Sequence, residues 1–212
     1  MDIGSYGISA LRAVFAAEPE SCLECDVKPS APPASELCDA QYVAKLQFPN
    51  GAIGEIRGNY NTPWMQFKLP NIEILHRATV VQDSSLSAGQ VKTRTRKVVF
   101  YGHMFATLYN RIDTEETYEV RNKDDSQLVK KWTEKKSRSA HTFRDIDLEQ
   151  PGELYWKSYR HQLEQFIHRV KGRHGNGIWV SAEQSIAQMK AIDMVYEKSG
   201  LGARPSRERP VS

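Results

Sequence analysis

No apolar run in the 212-residue chain approaches the ~20 residues that a membrane-spanning helix requires. The opening stretch, Met1 to Phe15, has no basic n-region and carries Asp2 and Arg12, which excludes an ordinary secretory signal. Cysteine is scarce and odd in number, with three residues at Cys22, Cys25 and Cys38. That count fits a reducing compartment better than a disulfide scaffold, so a cytoplasmic location is expected. Cys22 and Cys25 form a C-x-x-C, but a structural zinc site wants four ligands and only Cys38 remains to help. A redox pair wants a helix directly behind its first Cys, and here Pro29, Pro32 and Pro33 follow. Neither metal nor thiol chemistry is expected.

The phosphate-binding loops are missing too. No G-x-G-x-x-G follows an apolar strand and no G-x-x-x-x-G-K-[ST] occurs, so nothing in the sequence is expected to cradle a pyrophosphate. The sequence also has no H-E-x-x-H and no G-x-S-x-G. The six histidines are scattered; His161 and His168, seven apart, read as helix-surface or rim positions rather than metal ligands. A net charge of +3 is mild, and neither nucleic acid nor an anionic membrane is an expected partner. The densest basic cluster, Lys130, Lys131, Lys135, Lys136 and Arg138, is broken by Glu134 and reads as a solvated loop.

What is present is an ordinary globular composition, 40% hydrophobic and 26% charged, long enough to bury a core without staples. Ile8, Leu11 and Phe15 recur at helical spacing, which predicts a helix over 3–17 ended by Pro19. A loop rich in Pro, Ser and Cys is expected over 20–39. From Ala40 the period becomes two: Ala44, Leu46 and Phe48 alternate with Lys45 and Gln47. Pro49-Asn50-Gly51 is a tight-turn signal, and Ala52, Ile56 and Tyr60 resume the alternation. Further strands are expected over 65–69, 71–81, 91–101 and 115–120. In the third of these Lys92, Arg94 and Arg96 leave neither face apolar before Val98, so it belongs at an edge or on a wet face. The polar stretch 121–147 reads as a long mobile loop.

Two helices are expected after it. Over 154–171, Tyr155, Tyr159, Leu163, Phe166, Ile167 and Val170 make one apolar stripe. In the last, Ser181 and Gln184 form a capping-box pattern, Ile186, Met189, Ile192 and Tyr196 are the expected buried stripe, and Gly200 terminates it. Trp179, just before that helix, suits core packing or a pocket wall. The order predicts an α+β fold: an open, mostly antiparallel sheet with helices packed on one face, the other face left for water or a subunit. One domain is expected over 1–205, with a frayed tail at 206–212.

The most specific chemical pattern is Met1-Asp2-Ile3-Gly4-Ser5-Tyr6. On a helix Asp2 and Tyr6 are i and i+4, so carboxylate and phenol share a face. A phenol titrates near 10 in water, so acid/base work at neutral pH needs a neighbouring cation. From the residues alone, the pair reads first as a capping Asp and a packed Tyr.

Asp2-Ile3-Gly4-Ser5-Tyr6 resembles the D-x-G-x-[YH] segment that opens the second half of Gfo/Idh/MocA oxidoreductases. Trp179-Val180-Ser181-Ala182-Glu183-Gln184 and its continuation to Leu201 is similar to that family's closing helix, and Tyr159 to Phe166 is similar to the helix before it. The resemblance runs from Asp2 to about Pro205, specific at both ends and weak in the middle strands. Within the family it is nearest the subgroup of dimeric dihydrodiol dehydrogenases and NADP-dependent D-xylose 1-dehydrogenases. It implies that Asp2 and Tyr6 are catalytic, with Tyr6 moving the proton of a substrate hydroxyl and Asp2 orienting the site. It implies NADP as cofactor, held by a Rossmann domain that also supplies a lysine from an E-K-P motif; both would precede Met1. On that reading the chain is a truncated relative, idle by itself, that pairs as a homodimer or heterodimer through its open sheet face.

Overall fold

The computed structural model describes residues 2–29, 39–63, 65, 70–105, 109–175 and 179–202, the side chains of Asp2, Ile3 and Ile146 excepted. Residues 66–69 of the strand expected over 65–69, Cys38 and the C-terminal tail lie outside these residues. Helices and antiparallel strands make an α+β protein, as the pattern predicts, and the described strands pair into two sheets. The chain forms two compact units, Met1–Phe67 with Ile178–Ser212, and Lys68–Gly177.

In the first unit, α1 (Asp2–Phe15) precedes β1 (Ser21–Pro29), β2 (Asp39–Phe48) and β3 (Ala52–Asn59), and α3 (Ala182–Ser199) completes it. The strands form one antiparallel sheet in the order β1-β2-β3. Strict alternation along β2 puts Ala40, Tyr42, Ala44, Leu46 and Phe48 on one fully buried face. Both helices cover that face: Ile8 of α1 and Ala191 and Val195 of α3 are buried in the same cluster as Leu46 and Ile56. Glycines in β3 allow the close approach. A Cβ on Gly54 would lie 2.7 Å from Leu11 Cδ1, and one on Gly58 would collide with the Tyr42 phenol. The β2–β3 turn is the expected one, with Asn50 (φ 63°) and Gly51 (φ 65°) both left-handed, where Asn and Gly are least strained.

The predicted loop over 20–39 is corrected: residues 21–29 are a strand paired along β2. Its period-two signal is hidden by a bulge. Cys22 faces Leu46, Glu24 faces Lys45 and Cys25 faces Ala44, so Leu23 is the extra residue. The shift turns both thiols toward the core. Burial raises both, Cys25 to about 11, which keeps the thiols protonated and weakly nucleophilic at neutral pH.

In the second unit, β4 (Asn71–Leu75), β5 (Thr79–Val81), β6 (Gln90–Tyr101), β7 (Arg111–Asn122) and β8 (Leu128–Arg138) precede α2 (Ser158–Val170). The sheet runs β4-β6-β7-β8, with β5 also paired to β6. Two expectations are corrected here. The strand predicted over 71–81 is interrupted at residues 76–78, and the mobile loop predicted over 121–147 contains β8. The polarity of that stretch is cross-strand complementarity, not disorder. Lys131 pairs with Glu119 at 2.8 Å, Lys135 with Glu115 at 2.7 Å, and Trp132 stacks on Tyr118 at 5.0 Å between centroids. The basic cluster is therefore a strand. β6 lies inside the sheet rather than at its edge, and its charged positions belong to a wet face.

The helices also differ from expectation. The apolar stripe of α2 is exposed, with Tyr159 at 83% and Val170 at 70%. On α3 only the second half of the predicted stripe is covered: Tyr196 is buried and Ile186 and Met189 are exposed. Its ends match the sequence, with a reciprocal Ser181–Gln184 capping box and Gly200 left-handed at φ 80°.

Because Leu46 is wholly buried at the centre of the first unit, Leu46→Ala is expected to cost about 2–5 kcal/mol. Urea denaturation should show a lower midpoint at an unchanged slope.

Candidate functional site

The site candidates from the sequence lie at the start of α1. Asp2 begins the helix and Tyr6 follows one turn later. Tyr6 is 56% exposed, whereas Ile8, two residues on, is 1% exposed. Helical geometry accounts for the contrast: two residues are about 200° of rotation, so burying Ile8 turns Tyr6 outward. The structure places the pair on one helix turn; the Asp2 side chain lies outside the described residues.

Polar contacts from α3 hold this helix. Gln188 Nε2 donates to the Ser5 carbonyl at 2.8 Å, beside Tyr6. Arg12 Nη1 donates back to Gln188 Oε1 at 2.8 Å, and Arg12 Nη2 to the Gln184 carbonyl at 3.2 Å. The same guanidinium takes both carboxylate oxygens of Glu18 at 2.6 Å. That hydrogen bond raises Arg12 and lowers Glu18 from their ordinary values. Arg12 thus ties the C-terminal turn of α1 to α3 and to the loop that leaves α1. Sequence reasoning gave Arg12 no structural role, because its partners at 184 and 188 are far away in the chain.

A second feature was hidden for the same reason. Asp39, 6% exposed at the head of β2, accepts a 2.7 Å hydrogen bond from the Tyr196 hydroxyl of α3. Burial pushes this carboxyl up, but hydrogen bonds to it, Tyr196's among them, prevail and hold it below the ordinary carboxylate range. The dyad fastens α3 to the sheet with a buried charge-assisted bond.

The residues can be tested against the dinucleotide that the resemblance implies. A pyrophosphate binds at a helix N-terminus with free N–H groups behind a glycine-rich turn. At α3 that position is taken: Ser181 Oγ accepts from the Gln184 N–H at 3.2 Å, and Gln184 Oε1 from the Ser181 N–H at 2.9 Å. α2 starts at Lys157 without a glycine turn. Neither of these two helix starts offers a pyrophosphate such a seat.

No family model matches the chain, and no curated protein matches its sequence. A solved structure matches its fold. The aldose-aldose oxidoreductase from Caulobacter crescentus, crystallised with glycerol, aligns over 93% of this chain and 44% of its own, with a TM-score of 0.50 and 12% identity. The fold is shared. The chain spans less than half of that enzyme's length.

Tyr196→Phe removes a donor from a buried carboxylate and is expected to cost about 1–3 kcal/mol at pH 7. Because the folded-state value of Asp39 is depressed, its contribution is complete above the unfolded carboxylate range, about pH 4, and is lost as pH falls through the folded value. Denaturation at neutral and acid pH should show the variant's deficit shrinking in acid.

Proposed function

We propose that this chain is the substrate-side and dimer-forming part of an NADP-linked, Gfo/Idh/MocA-type oxidoreductase acting on CH–OH groups of sugars or diols. The dinucleotide is held by a separate domain. The observation that carries this reading is the Asp2–Tyr6 segment, which begins a helix packed on an antiparallel sheet in a fold shared with an aldose-aldose oxidoreductase. In it the exposed Tyr6 phenol offers a proton donor and acceptor for a substrate hydroxyl, and Asp2, on the same helix turn, orients it. A bound nicotinamide would supply the hydride chemistry.

With NADP and an aldose or dihydrodiol added, the chain alone should yield no NADPH. Turnover by the chain alone would overturn this division of labour.

The uncovered stripe of α2 favours a second reading, a non-catalytic interaction module that pairs with a second copy. Tyr159, Leu163, Phe166 and Val170 lie on one face and are exposed together, an arrangement that usually marks a contact surface. Size-exclusion chromatography with light scattering should then return twice the chain mass at micromolar concentration, and Leu163→Glu should return one. A wild-type monomer would sink the second reading.

A further inference from the structure

The interruption between β4 and β5 leaves a basic pocket that nothing above employs. From Leu75 to Thr79 the chain advances four residues while its partner β6 advances three, from Lys97 to Arg94. The surplus residue pushes the 76–78 segment out of the ladder, although the His76 N–H still reaches the Arg96 carbonyl at 2.9 Å. Thr79 Oγ1 donates to the Arg94 carbonyl at 3.4 Å and fixes where the ladder resumes. His76, Arg77, Thr79, Arg94 and Arg96 line the resulting pocket of about 60 Å³. That is room for about two waters, or for one compact polyatomic ion.

None of the five lining residues is acidic. The neighbouring carboxylate, Glu116 of β7, lies 3.5 Å from Arg94 and 2.5 Å from Arg96. Hydrogen bonds from Tyr118 and then Arg96 hold it below the usual range, so it is an anion at neutral pH. It steadies two guanidiniums from the side and competes with any anion they could take. Each guanidinium carries five N–H donors in a planar fork suited to oxyanions. The guanidiniums and the imidazole approach the pocket from different residues, and a phosphoryl group meets them with three strong acceptor oxygens where a carboxylate has two.

We propose that this pocket binds the phosphoryl group of a small phosphorylated ligand. The site lies wholly within the second unit and stands or falls independently of the redox reading.

The test titrates the full chain with inorganic phosphate by calorimetry at low ionic strength, with a sugar phosphate and acetate in parallel. Phosphate or the sugar phosphate should bind with a dissociation constant below about 1 mM, and acetate clearly more weakly. Arg77→Gln, in the exposed break, and Arg94→Gln should each weaken binding by about tenfold or more, the scale of one charged hydrogen bond. Glu116→Gln should tighten it, because the competing carboxylate is gone; a merely structural cluster would show no such gain. Arg57→Gln, which makes the same charge change on the first unit, should leave binding unaltered. The proposal is overturned by absence of saturable binding, by acetate binding as tightly as phosphate, or by equal losses in Arg57→Gln and Arg77→Gln.

Discussion

The inner face of β2 is the constraint on which the first unit rests. Five alternating side chains from Ala40 to Phe48 are buried there, and the larger ones each contribute about 1.5–3 kcal/mol by leaving water. Two helices distant in sequence, α1 and α3, are needed to cover them. Their polar contacts then follow: Gln188 can reach Ser5, Arg12 can reach Gln188, and Tyr196 can reach Asp39, because the sheet has already brought both helices to it. The outward aim of Tyr6 is set by the same burial, through Ile8 on the opposite side of the helix. A candidate reactive group is thus positioned by packing that it takes no part in.

The second unit is held on other terms. Among its described residues only Val99 and Val120 are buried apolar side chains. Its register depends on matched partners across strands: Lys97 with Glu73, Lys135 with Glu115, Lys131 with Glu119, and Lys92 against the stacked rings of Tyr118 and Trp132. Exposed ion pairs of this sort contribute little one by one. Their collective effect is selectivity, since a slip of one residue would turn every partner to the other face. A sheet held this way tolerates a break such as the one at 76–78, because no large core beneath it is opened.

Legibility in the sequence tracked which of these two modes was at work. Where burial drives structure, the pattern was plain: the α1 stripe, the β2 alternation, the Pro49–Gly51 turn and the Ser181 cap were all readable. A single bulged residue, Leu23, was enough to disguise β1 as loop, because it broke the period that identifies a strand. β8 was unreadable for a different reason. Lysines answered by glutamates on the next strand look the same in one dimension as lysines answered by water. The stripe on α2 was legible as apolar, but periodicity records that a face is hydrophobic and not whether anything covers it. Of the candidate site, the Asp2–Tyr6 spacing was visible at once. The anchoring by Arg12 and Gln188, 176 residues apart, and the pairing of Asp39 with Tyr196 depend on tertiary contact that no local signal reports.

The lysines of β8 have a consequence for how copies of this protein meet in solution. β8 is the terminal strand of its sheet among the described residues and is exposed along nearly all of its eleven residues. Such a rim offers unsatisfied amide and carbonyl groups to any strand that approaches, the usual route to fibrils. Here Lys130 and Lys136 project to one side of the ribbon and Lys131 and Lys135 to the other. A like strand laid alongside would bring ammonium against ammonium on both sides. The residues that seemed to mark a disordered stretch therefore act as gatekeepers, keeping an open rim from templating its own growth.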